Sequence, residues 1–251
     1  MFRKDRVYLA GLAAALLLAA PAGASIISVN LGSGQTGGSL DATESAGLVP
    51  AVNWNNVANL GSTVTDLNDD SGTPTTADIS GTIMDGSLAT SETDTDPDSK
   101  MMKGFNGKNN TTPHTVTVSD VPTAFTTAGY YVLAYWGGPP TNRSGTWKLG
   151  LTVGSDTYWL DHADEAQYND PPGYVQATST DSASPTLNAN YAQFGSASAP
   201  KTASSFTLTL TVTDQRMGLS GLQIVQVPEP ATLGLMALGG AGLVLLRRKR
   251  R

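Results

Sequence analysis

Between residues 25 and 227 no stretch carries the apolar repeat of an amphipathic helix, and that restricts the chain to strands. Apolar residues come instead in short alternating or β-branched runs, punctuated by Gly, Ser, Thr, Asn and Asp, as in a β-sandwich. The runs predict strands at 26–31, 115–118, 130–136, 147–153, 156–160, 174–177, 205–212 and 219–227. Phe206, Leu208 and Leu210 alternate with Thr207, Thr209 and Thr211, so one face of that strand is buried and the other is wet. Gly154-Ser155 separates two of the runs as a two-residue hairpin turn. Residues 66–86, with a short strand at 77–81, and 91–110 are polar enough to read as long loops. No internal repeat has a fixed period.

The ends of the chain differ in kind from this domain. Val227-Pro228-Glu229-Pro230 is followed by an apolar run over 231–246 and then by Arg247, Arg248, Lys249, Arg250 and Arg251. Two prolines forbid a helix interior at the motif and favour an extended peptide. The 16-residue run is close to the shortest helix, roughly 17 residues, that spans a bilayer, and its basic flank can snorkel. Its four glycines are common in membrane helices. The basic end places the C-terminus in the cytoplasm and everything earlier outside.

At the other end, Arg3, Lys4 and Arg6 precede an apolar segment over 7–20, and Ala22-Gly23-Ala24 forms an A-x-A cleavage site for signal peptidase, with Ser25 as the first mature residue. The expected organisation is a signal peptide over 1–24, a β-sandwich domain over 25–226 and a sorting signal over 227–251.

The tail resembles the PEP-CTERM sorting signal of Gram-negative bacteria in three elements: Pro228-Glu229-Pro230, the segment 231–246 and the basic end 247–251. The same region is also called an ice-binding-protein C-terminal domain, a label that implies no ice binding. The resemblance implies that an exosortase, an intramembrane protease-transpeptidase, recognises the motif and removes the tail. The chain would then be inner-membrane anchored before processing and afterwards at the cell surface or outside the cell, where an exopolysaccharide or other glycan is an expected partner.

Residues 25–227 hold seven Lys and Arg against 19 Asp and Glu, a net of −12. Such a surface does not neutralise phosphates, so nucleic acid is excluded as a partner. Cysteine is absent, which removes disulfides and thiolate zinc sites and leaves stability to the core.

The opening Ile26-Ile27-Ser28-Val29-Asn30-Leu31-Gly32 and the closing run 218–225 resemble the framing strands of galactose-binding-like and malectin-like jelly rolls, where the last strand pairs near the first. The fold class that follows is all-β, a jelly-roll-like antiparallel β-sandwich, flanked by an N-terminal signal helix and a C-terminal transmembrane helix. Residues 49–56 resemble a recurrent segment of exported proteins that carry this tail.

Chemistry is sparse. Asp94, Asp96 and Asp98 have the alternate-position carboxylates of a calcium loop, but Ser99 and Phe105 stand where an EF-hand needs Gly and Glu. The stretch 66–70 shares the spacing and the same deficits; for both, a solvated acidic loop is the competing reading. His162 and His114 lack the H-x-H or H-E-x-x-H partners of a metal site and read as exposed loop residues. There is no G-x-S-x-G elbow. The expectation is a protein that is not an enzyme and needs no cofactor, with calcium as the one cation its loops would suit. Aromatics concentrate in the second half of the domain and can stack on sugars. In 130–136, alternation puts Tyr131, Leu133 and Tyr135 on one face and Tyr130, Val132, Ala134 and Trp136 on the other, one set for the core and one for a surface. Trp136 and Trp54 are the candidate carbohydrate contacts. Two readings stay open: a noncatalytic envelope or extracellular-matrix protein, or an extracellular carbohydrate-binding module.

Overall fold

The computed structural model describes residues 24–34, 38–82, 87–89, 96–108, 112–137, 147–162, 173–212 and 217–228. Ser25–Val227 form one compact unit. The expected signal segment as far as residue 23, with Ala22, lies outside the described residues, and so do Asp94, Glu229, Pro230, the apolar run and the basic end Arg247, Arg248, Lys249, Arg250 and Arg251. Among the described residues no helix is long and apolar enough to cross a membrane.

The chain runs through β1 (Ile26–Asn30), β2 (Asn55–Asn56), β3 (Asp78–Gly81), β4 (Ser87–Ala89), α1 (Pro97–Met102), β5 (Gly104–Lys108), β6 (His114–Ser119), α2 (Thr123–Ala128) and β7 (Tyr130–Gly137). It continues through β8 (Trp147–Val153), β9 (Asp156–His162), β10 (Thr186–Leu187), β11 (Tyr191–Phe194), β12 (Phe206–Val212) and β13 (Met217–Gln226). Two sheets stack as a sandwich. The first has the order β11-β7-β13-β1-β2, with β4 and β5 attached through β13, and the second has the order β10-β9-β8-β12-β6-β3. All pairs are antiparallel except β1 with β2 and β10 with β9. The first and last strands meet in the middle of the first sheet, Ile26 opposite Val225 and Asn30 opposite Gly221.

Alternation builds the core between the sheets. Ile27, Val29, Val132, Ala134, Trp136, Leu222 and Ile224 from the first sheet pack against Val116, Val118, Leu149, Leu151, Leu208 and Leu210 from the second. β13 serves two neighbours along one edge. β1 leaves after Asn30, its successors Leu31 and Gly32 both donating to the Ser220 carbonyl, and β5 takes over opposite Met217–Leu219. A side chain at Gly32 would run into the backbone of Gly104, so only glycine allows that crossing.

Most sequence-based strands form, with ends shifted by a residue or two. The hairpin at Gly154-Ser155 pairs Val153 with Asp156, and positive φ at Gly154 alone is the type II′ pattern. The short strand expected at 77–81 is β3. The strand expected at 174–177 does not form: Gln176 makes one bridge to Tyr191, and the Asn190 side chain occupies the Val175 N–H where a ladder would need a carbonyl.

The loop expected over 91–110 is corrected, because it holds α1 and β5. Asp96 caps α1, accepting from the Ser99 N–H at 2.9 Å, and Pro97 opens the helix where a missing donor costs nothing. Six residues are too few to register as a helical period, yet Met101 and Met102 are buried. α2 is equally short; it buries Phe125 and ends at Gly129 with φ 85°.

Candidate functional site

The face of the first sheet that points away from the sandwich is covered rather than open. Residues 46–54, α1 and Tyr174 lie on it. Tyr135 is fully buried there, its ring 5.3 Å from Tyr174 and 6.4 Å from both Trp54 and Tyr191. Polar contacts pin the cover down. The Tyr135 hydroxyl donates to Gln223 Oε1 at 2.5 Å and accepts from the Leu48 N–H at 2.8 Å. Gln223 Nε2 donates to the Val49 carbonyl at 2.8 Å and to Ser28 Oγ at 3.2 Å. Asp98 Oδ1 accepts from the Tyr174 hydroxyl at 2.6 Å and from the Gly47 N–H at 2.7 Å. At the rim, Lys100 Nζ meets both Glu44 oxygens at 2.7 and 2.8 Å.

This cluster brings Tyr135, Tyr174, Trp54 and Tyr191 together with buried polar groups, and its chemistry is that of a clamp. Burial pushes the Tyr135 phenol far above its usual range, and the Asp98 charge adds to that, so the hydroxyl stays protonated as a donor. Lys100 and the Asp41 N–H hold the Glu44 carboxyl below its ordinary value.

The candidate residues fall as follows. Trp54 is only 5 % exposed and spends its indole N–H on the Ala51 carbonyl at 2.9 Å; Trp136 is wholly buried between the sheets. Neither ring can stack on a sugar, which corrects both assignments. The alternation in 130–136 holds, but both sets are interior apart from Tyr131, because the outer face has its own cover. Of the calcium candidates, Asp96 is a helix cap that also takes the Ser99 hydroxyl, and Asp98 is held by Tyr174 and Gly47. The second acidic stretch spends carboxylates on backbone N–H groups, local and distant. Asp69 Oδ1 accepts from the Ser71 and Thr73 N–H groups, and Asp70 Oδ1 from the Ile26 N–H. His114 is corrected from a loop to the first residue of β6, buried on the core side with Val116 and Val118. The His162 side chain lies outside the described residues.

An open groove of ≈ 630 Å³ is lined by Thr65, Asp66, Thr76, Asp78, Asp120 and Ser204, among others. Asp78 Oδ1 accepts from the Asp66 N–H at 3.0 Å and the Asp120 carbonyl accepts from Thr76 Oγ1 at 2.6 Å, so the groove is braced by its own polar groups. Among the described residues no group of three or more His, Cys, Asp or Glu is placed to hold a metal ion.

Residues 226–251 match the family model of the PEP-CTERM protein-sorting motif. That motif is the tag of an exported, membrane-transiting protein and the recognition element for exosortase. No curated protein and no solved structure matches the chain.

Proposed function

We propose that this chain is a noncatalytic exported protein whose β-sandwich, residues 25–226, is delivered to the cell surface or the extracellular matrix and detached from its tail by exosortase. The observation that carries this is the sorting motif at 226–251, directly after a finished domain. The last strand, β13, is central in its sheet, the Val227 N–H is anchored on the Gly129 carbonyl at 2.8 Å, and Pro228 is already exposed. A cut after the motif would cost the sandwich no strand. Signal peptidase would release the other end between Ala24 and Ser25, one residue before β1 begins.

The pairing of β1 with β13 fits a jelly-roll reading, and the polar clamp fits a structural role for the aromatic cluster. The carbohydrate-binding reading moves away from Trp54 and Trp136 and makes no use of calcium.

Intact mass of the protein from its native host tests the processing. The expected mass lacks residues 1–24 and the segment beyond the Pro228-Glu229-Pro230 motif. A full-length C-terminus in cells with active exosortase would overturn the proposal.

A further inference from the structure

The second sheet has an outer face lined with threonines. Leu208, Leu210 and Val212 turn inward along β12, so Thr207, Thr209 and Thr211 turn out. The strand register aligns them with more of their kind. Thr115, Thr209, Thr152 and Thr157 stand opposite one another across β6, β12, β8 and β9. At the usual strand spacing, four such residues make a row roughly 14 Å long. Beside it runs a second row, Ser80, Thr117 and Thr207, in which the hydroxyls of Thr117 and Thr207 are 3.1 Å apart. On the other side the register runs Thr211, Gly150, Trp159.

Gly150 explains how the tryptophan sits. A Cβ there would lie 2.9–3.0 Å from three atoms of the six-membered ring of Trp159, so the indole lies over the glycine, on the sheet. Trp159 as a residue is partly exposed, in contrast to Trp54 and Trp136. Glycine inside a strand costs stability and packs nothing of its own; here it is the seat that lets an aromatic ring lie low against a flat surface.

We propose that this face binds an extended, uncharged polysaccharide chain, with Trp159 stacking on a sugar ring and the threonine row meeting the sugar hydroxyls. An aromatic face takes the C–H side of a sugar and offers large contact area. Each threonine hydroxyl gives one donor and two acceptor positions, and Thr152 and Thr157, paired at 2.8 Å, keep further capacity to bond outward. Charge selects the ligand class. Residues 25–227 carry a net of −12, so an anionic polymer is repelled, while the threonine rows contain no carboxylate to hold a cation. Charged residues occur at the margins, as the opposed pair Lys148 and Asp161 and as Asp78. The inference deepens the exported reading by naming what the domain would meet outside the cell, and its test is independent of processing.

The whole chain, purified in mild detergent, is titrated with cellohexaose and with mannohexaose as neutral probes, and with an alginate hexamer as an anionic one, by calorimetry and tryptophan fluorescence. Saturable binding of at least one neutral probe, a change in tryptophan emission and no binding of alginate are expected. Trp159→Ala weakens it about tenfold, the scale of one aromatic stack. Thr209→Arg, a surface change in the middle of the row, weakens it comparably while leaving the circular dichroism and the melting temperature unchanged. Absence of binding to both neutral probes, preference for alginate, binding indifferent to both variants, or self-association of the chain through this face would overturn the proposal. A negative result here combined with a correctly trimmed mass would leave the sorting proposal intact; the reverse pair would leave the glycan site intact on a differently anchored protein.

Discussion

The two sheets are built from strands of similar length and face a common core, yet their other sides have opposite fates. The first sheet is buried twice: Trp136 and Val132 point into the sandwich while Leu133 and Tyr135 point into a second interior under residues 46–54 and α1. The second sheet is buried once and turns threonines to water. A covered face stabilises but can offer nothing to a ligand. An open face contributes little to stability and is free to bind. If the proposed glycan face is real, structural and recognition duties are divided between the sheets.

The largest test of that division is aromatic truncation. Trp136→Ala and Trp54→Ala should each cost about 3–5 kcal/mol in chemical denaturation, because each empties a buried site on a different side of the first sheet. Thr207→Ala on the open face should stay within about 0.5 kcal/mol. A cost below about 1 kcal/mol for Trp54→Ala would show that the cover is a loose strap and that only the inter-sheet core matters.

A finer cut goes through the clamp itself. Tyr135→Phe keeps the ring and removes one oxygen, leaving Gln223 Oε1 without its donor and the Leu48 N–H without its acceptor. An unsatisfied buried group costs about 1–3 kcal/mol, and urea unfolding should register it. Faster hydrogen exchange confined to residues 46–54 would place the loss in the cover; exchange spread evenly over both sheets would mean that the cover is not a separate layer.

The second sheet was legible in the sequence because water wrote on it. Thr207, Thr209 and Thr211 interrupt the apolar residues with period two, and β6, β8 and β12 follow the same rule. The first sheet was legible only in part. β7 and β13 announce themselves as β-rich runs, but 104–108, Gly-Phe-Asn-Gly-Lys, has no strand-like composition and is a strand because β4 and β13 flank it. The aromatic residues stand out in the sequence, but the burial of Trp54 and Trp136 does not. Local pattern tells which residues share a face but not whether a distant segment lies on that face. Trp54 and Tyr135 are 81 positions apart, and their contact is set by tertiary folding. Trp159 carried its signal in Gly150, but that pairing needed the register of β8 against β9 to be seen.

The smallest effect lies at the rim of the cover, where Glu44 pairs with Lys100 and both side chains remain about a fifth to a quarter exposed. Such a pair is worth about 0–1 kcal/mol, so Glu44→Gln should shift the unfolding midpoint only slightly at pH 7. Its pH dependence has a definite sign. The folded carboxyl titrates below its unfolded counterpart, so the unfolded chain binds the proton first as acid is added. The contribution is full above the unfolded value, about 4.3, and fades as pH falls through the lowered folded one. Melting curves taken from pH 7 downward should therefore separate wild type from Glu44→Gln at pH 7 and converge only as acid carries the pH below the lowered folded value. The Asp156–Lys201 pair, 2.6 Å apart at the N-terminal end of β9 in the second sheet, is the control: Lys201 holds that carboxyl low as well, so Asp156→Asn should follow the same pH course. If only Glu44→Gln sensitised the region 46–54 to exchange, the rim pair would be part of the clamp; if neither did, the cover is held by Tyr135, Gln223 and Asp98 alone.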